Sequence, residues 1–191
     1  MRTVNERLAN AVISHGIDLQ HYSNGVVRLI IGMLNKADIA ISAELAANLT
    51  AAEGSSFSVE RLESMLGSVR QLNAAAYYKV SEGLTSEVRA LADAETSYQT
   101  DLFERVIPPQ VRASVGIGAV NVSQVYAAAV SRPFQGRLLS EWAKSIEVTR
   151  MARIRDSVRM GVLQQKPTGE IVRQIRGTKK AGYKDGIFEI D

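Results

Sequence analysis

The chain has 191 residues, 46% of them apolar and 23% charged, enough to bury a core in one domain or slightly more. Its formal net charge is only +3, so the protein as a whole is not a polycation that coats nucleic acid. Cysteine is absent, which excludes a disulfide framework, a thiol nucleophile and a thiolate metal site.

The N-terminus, "MRTVNERLANAVISHG", carries Asn5 and Glu6 where a signal peptide needs an uninterrupted apolar run. No stretch approaches the roughly 18 uncharged apolar residues of a membrane span. The expectation is a soluble protein made in a cytoplasm, with no membrane partner, in which the sequons at Asn48 and Asn121 are chance matches.

A short helix is expected over residues 2 to 15. In "GVVRLIIGMLNKADIAISAELAANL" the residues Val26, Leu29, Ile30, Met33, Leu34, Ala37, Ile41, Leu45 and Leu49 recur at three and four, which puts them on one helix face. Gly54 can close that helix, and Ser55, Ser56 or Ser58 can cap the next. A longer stripe follows through Val59, Leu62, Leu66, Val69, Ala76, Val80, Leu84, Val88, Leu91, Tyr98, Leu102 and Val106. Read without a break, residues 58 to 105 would make a rod of roughly 70 Å at about 1.5 Å per residue. Gly83 is the expected kink, because glycine costs about 1 kcal/mol against alanine inside a helix. Pro108 and Pro109 stop the run, since neither donates a backbone hydrogen bond.

Residues 110 to 136 mix Gly116, Gly118, β-branched residues and Pro133, with a helical stripe only from Ser123 to Val130, and read as a connector. Gly116-Ile117-Gly118 is not a dinucleotide fingerprint, because no third glycine or βαβ pattern supports it. A strong helix then begins near Gly136, with Leu139, Trp142, Ala143, Ile146, Ile154 and Val158 on a broad face, and ends at Gly161 or at the Gln164-Gln165 pair. Thr168 can cap a short helix in which Ile171 and Ile175 stand four apart, and Gly177 can close it. The tail holds a turn at Lys184-Asp185-Gly186 and four residues of candidate strand.

The fold class expected is mainly α: an elongated N-terminal helical hairpin (1–107), a connector (108–136) and a smaller basic helix-loop-helix region (137–191).

Chemistry-bearing motifs are few. His15 and His21 lie six apart around Gly16 on a helix end and a loop, whereas a metal pair needs i, i+4 spacing and a third ligand, so both read as ordinary surface histidines. No P-loop, carboxylate pair or nucleophile elbow is present, and the expectation is a protein without catalytic residues, metal or cofactor.

Charge is uneven along the chain. Residues 1–136 hold 11 basic and 13 acidic side chains, and residues 137–184 hold 12 basic and 4 acidic. At 100° per residue, Lys144, Arg155 and Arg159 fall within roughly 60° of one another, while Arg150 and Arg153 lean toward the apolar face with their stems along Trp142 and Ile146. Arg173 and Arg176 form another pair, and Lys179, Lys180 and Lys184 populate the tail. Lys144, Arg155, Arg159, Arg173, Arg176, Lys179 and Lys180 are the candidate contacts to nucleic acid or to an acidic partner. Trp142, Ile146, Ile154, Ile171 and Ile175 are the candidates for core or partner packing. Phosphate contact needs only exposed cations that release counterions, but the segment has few aromatics for stacking on single strands and no recognition-helix pattern.

The stretch "RLLSEWAKSIEVTRMARIRDSVRMGVLQQKPTGEIVRQIRGT" resembles the minor head, or head-morphogenesis, proteins of tailed bacteriophages, typified by the Mu F protein. The likeness lies in the order of features: a helix bearing Trp142 that runs through "IRDSVRMGVLQ", a short polar loop, then the small helix of "GEIVRQIRG". It covers roughly residues 136 to 188. The family continues into a further helical stretch, so the resemblance implies a fragment, a processed form or a shortened relative. It also implies a virion component in several copies, in the head interior or at the head-to-tail vertex, contacting portal or major capsid protein and, through its basic segment, packaged double-stranded DNA. Its expected role is head assembly or genome delivery after synthesis in the host cytoplasm; the alternative is a helical DNA-associated protein held inside the head or ejected.

Overall fold

The computed structural model describes residues 3–54, 58–115, 121–133 and 136–188. Seven helices account for most of them: α1 (Val4–Ala51), α2 (Val59–Met65), α3 (Gly67–Val106), α4 (Pro109–Val115), α5 (Val122–Ser131), α6 (Leu139–Leu163) and α7 (Thr168–Arg176). A 3-10 turn follows at Lys179–Ala181. Among the described residues there is no strand, so the mainly α class holds. Among the described residues no helix is long and apolar enough to cross a membrane.

Two expected boundaries move. Residues 4 to 51 form one helix rather than two, running through Gly16, Gly25 and Gly32. Leu8, Ala11, His15, Leu19, Tyr22 and Val26 continue the half-buried row at three and four, and that packing offsets the propensity cost of the glycines. The break in the second stripe falls at Leu66, not at Gly83, which lies inside α3. Ser58 caps α2 as expected, accepting from the Arg61 N–H at 3.2 Å, whereas Ser55 and Ser56 lie outside the described residues.

The expected connector is largely helical. Pro109 opens α4, at the first helical position where a missing N–H costs nothing, and the Asn121 side chain caps α5 by accepting from the Ser123 N–H at 2.8 Å. Gly116 and Gly118 lie outside the described residues.

At its end α6 closes on the glutamine pair. Gln165 takes φ 53°, and Lys166 N–H donates back to the Gly161 carbonyl while Gln165 N–H donates to Val162, a left-handed stop formed here without glycine. Thr168 does not cap α7. It is the first helical residue, after Pro167, and its hydroxyl donates to Glu53 Oε1 at 2.7 Å. Gly177 closes α7 as expected, with φ 87°. The candidate strand is not one at Ile187 and Phe188, which pack on the core; the rest of it lies outside the described residues.

The chain packs into two units. Unit 1 comprises residues 1–30 and 82–139, and unit 2 residues 31–81 and 140–191. In unit 1 the early part of α1 runs antiparallel to the later part of α3. Tyr22 O–H donates to the Glu87 carboxylate at 2.6 Å, His15 Nε2 lies 2.5 Å from Glu95 Oε1, and Tyr98 O–H donates to the Ala11 carbonyl at 3.0 Å. From Tyr22 back to Ala11 and from Glu87 on to Tyr98 the chain advances by the same number of residues, so the register is constant. Among the described residues of this unit, Ala92, Leu102 and Val106 are the buried apolar ones.

Unit 2 holds the main core. Ile41, Leu45 and Leu49 of α1 meet Leu62, Leu66 and Val69 at the α2–α3 junction, Met151, Ile154 and Val158 of α6, Ile171 and Ile175 of α7, and Phe188. Gly161 allows the closest approach. A Cβ there would sit 2.6 Å from Ile171 Cγ1, so α7 packs directly on the α6 backbone. Leu29 and Val59, expected on the buried faces, are 43% and 62% exposed instead.

Candidate functional site

The basic segment is the feature that the sequence singles out, and unit 2 divides its cations into three kinds. Arg150 is internal, with 2% of its side-chain surface exposed. It reaches α6's neighbour α1 and pairs with Asp38, and its guanidinium lies over the Phe188 ring at 4.2 Å and near the Tyr77 ring at 5.8 Å. Burial raises the Asp38 carboxyl above its ordinary value against the opposing pull of Arg150 and, less strongly, Arg176.

A second group is held at the surface. Lys144 Nζ sits 2.5 Å from Glu147 Oε2, Lys166 3.3 Å from Glu170, and Arg155 3.4 Å from Asp156. Arg176 is half-buried with its guanidinium 4.7 Å from the Tyr183 ring. The third group, Arg153, Arg159, Arg173, Lys179, Lys180 and Lys184, is exposed. Of the seven expected contact residues, then, Arg159, Arg173, Lys179 and Lys180 stand open, Lys144 and Arg155 already have acidic neighbours, and Arg176 is turned partly inward. Arg153 does not lie against the apolar face as expected. It is exposed, because the buried face of α6 centres on Ile154, Val158 and Gly161, and Arg153 falls at its margin.

The packing candidates divide as well. Ile154, Ile171 and Ile175 are fully buried, and Trp142 and Ile146 are half-buried near the start of α6. The helix-loop-helix therefore spends Ile154, Val158, Ile171 and Ile175 on the core of its own unit, while Val148, Met160 and Leu163 of α6 are exposed.

Several residues around Arg150 escaped the reading of the sequence. Asn73 is completely buried on α3, with its Nδ2 donating to the Glu147 carbonyl at 3.1 Å. Arg150 Nε, Tyr77 Oη and Asn73 Oδ1 are buried without a hydrogen-bond partner. A signal for them existed: Asp38 and Asn73 are polar residues standing at helical spacing on otherwise apolar stripes, beside Ile41 and Val69. Such residues require a partner from elsewhere in the chain.

Unit 1 holds the other polar cluster. His15 is not an ordinary surface residue on a helix end; it lies mid-helix, 18% exposed, stacked on Tyr98 with ring centroids 3.7 Å apart and hydrogen-bonded to Glu95. His21, also within α1, is exposed. Tyr22 has its hydroxyl pushed up to about 12 by burial, by its hydrogen bond to Glu87 and by that carboxylate's charge. These contacts orient two helices and bring no nucleophile to a base.

A cavity of about 190 Å³ opens in unit 2 beside the α1–α2 turn, floored by Leu49, Leu62, Met65, Val162 and Ile171. Among the described residues no cluster of three or more His, Asp or Glu is arranged to hold a metal ion. Compared with protein-family models, curated proteins and solved structures, the chain gives no match.

Proposed function

We propose that the chain is a structural, non-enzymatic minor head protein of a tailed phage virion, located at the portal or inner capsid and serving head assembly or genome delivery. The observation that carries this reading is how the resembling segment is used. Its Trp-bearing helix, polar loop and short helix form one packed motif through Ile154, Val158, Ile171 and Ile175, while Arg159, Arg173, Lys179 and Lys180 stay outside. This is the pattern of a docking module, in which the chemistry is contact. The exposed apolar residues Val12, Ile13, Ile17 and Val27 of α1, each at least half open, support contact with a protein partner as well.

The test is co-expression with the portal and major capsid proteins of the same phage. Salt-resistant co-purification with a portal ring is the expected outcome, and absence of the chain from purified heads would sink the reading. The open cations favour a second reading, a DNA-associated head protein. That one predicts double-stranded DNA binding whose affinity falls with a log–log salt slope of about −0.9 per phosphate contacted, and which Arg159→Glu with Arg173→Glu weakens without unfolding the protein.

A further inference from the structure

The last described residues, 177–188, fold back over α6 and α7 instead of trailing away. Asp185 closes this segment on itself: its carboxylate accepts from Thr178 N–H at 2.6 Å and from the Thr178 hydroxyl at 2.7 Å. Tyr183 N–H donates to the Thr178 carbonyl at 2.8 Å, and Phe188 N–H to the Ile175 carbonyl at 3.2 Å. Two glycines permit the closure. Gly177 has a positive φ, and a Cβ there would lie 2.6 Å from the Tyr183 carbonyl oxygen; Gly186 packs against the Arg176 backbone with no room for a side chain.

The segment's end point gives the closure a consequence. Phe188 is 9% exposed, with its ring over the guanidinium of Arg150, the cation that joins α6 to Asp38 of α1. Beneath it, Arg150 Nε is buried with no hydrogen-bond partner, and water would satisfy it if the cover lifted. The closed form therefore carries a penalty that the open form lacks. A region so arranged opens locally at less cost than the apolar core around it.

We propose that residues 177–188 are a strap, closed by the Thr178–Asp185 clasp, that keeps α6 docked on α1 by sealing the Arg150–Asp38 pair under Phe188, and whose release admits water to that pair and loosens α6. This conformational device is independent of the virion reading, and its test needs only the purified chain.

Amide hydrogen exchange, read by NMR on the full chain, tests it. Asp185→Asn removes the charge-assisted half of the clasp from an exposed position. It should speed exchange roughly tenfold at the Gly177 and Phe188 amides and, by the same factor, at the amides around Arg150 and Asp38, since one opening exposes them all. Amides of unit 1 near Tyr98 serve as the control and should not change. Acceleration confined to 177–188 would make the strap a simple tail and overturn the proposal, as would no acceleration. Thr178→Ser keeps the hydroxyl and should match the unsubstituted protein; behaviour like Asp185→Asn would overturn the clasp. Phe188→Ala leaves the clasp intact and should free the Arg150 amides while Thr178 stays protected. Undisturbed exchange at Arg150 in that variant would overturn the seal.

Discussion

The two units are built from the same two long helices and stabilised differently. In unit 2, α1 and α3 are joined by α2, α6 and α7, and the apolar core of Ile41, Leu45, Leu66, Ile154, Ile171 and Ile175 leaves these side chains essentially no exposed surface. In unit 1, α4 and α5 add little burial, the buried apolar side chains among the described residues are Ala92, Leu102 and Val106, and polar rungs hold the helices in register. A helix pair alone offers only a narrow seam, so side chains with fixed hydrogen-bond geometry set its alignment there, whereas a third layer lets shape and volume do so. The lesson is that the same helix reads as strongly amphipathic only where something covers a second side of it.

The substitutions that test this contrast most severely lie in unit 2. Arg150→Ala leaves Asp38 partly buried without its cation and should cost about 3–5 kcal/mol in urea unfolding; Arg150→Met with Asp38→Leu should recover most of it, because an apolar pair restores the packing without charge. Ile154→Ala should cost about 2–5 kcal/mol, seen in the fluorescence of Trp142, the chain's one tryptophan, which lies in unit 2. Gly161→Ala should cost about 1–3 kcal/mol by pushing Ile171 off the α6 backbone.

Unit 1 should respond less. Tyr98→Phe removes one hydrogen bond to the Ala11 carbonyl and should cost about 1 kcal/mol, detected as loss of helical circular dichroism at a lower temperature with the Trp142 signal nearly unmoved. An equal or larger loss than from Ile154→Ala would break the contrast.

Two pH effects are smaller still and of opposite sign. Tyr22 has its value raised in the folded protein, so its contribution is intact below the ordinary tyrosine range and is lost as pH rises through about 12; alkaline loss of helicity should shrink in Tyr22→Phe. Asp185 is held below the ordinary carboxylate range by the Thr178 N–H and hydroxyl. Its contribution is present above that range and disappears as pH falls through the lowered value, which strap amide exchange in Asp185→Asn should no longer show.

Much of this was legible in the residues. The rows Ile41-Leu45-Leu49 and Leu62-Leu66-Val69 and the pair Ile171-Ile175 announced the core of unit 2 by spacing alone, and Pro108 and Gly177 announced two helix ends. The continuity of α1 through Gly16 was not legible, because its seam there is made of His15 and Tyr22, residues whose worth depends on Glu95 and Glu87, 80 and 65 positions away. The helical wheel puts Arg150 on the apolar face without naming its partner Asp38 and puts Arg153 beside it, whereas Arg153 is exposed, since a wheel gives direction and not the width of the partner helix. The clasp of Thr178 and Asp185 depends on a positive φ at Gly177 that sequence marks only as a helix end.

The constant register between α1 and α3 in unit 1 acts as a ruler. Any gain or loss of length in one arm displaces each rung beyond it unless the other arm changes by the same number of residues, and only whole-turn changes of about 7 or 11 residues return the side chains to the seam. Descendants of this chain can therefore vary in reach, but in matched steps, with the two insertions at mirror positions about the α1–α2 turn.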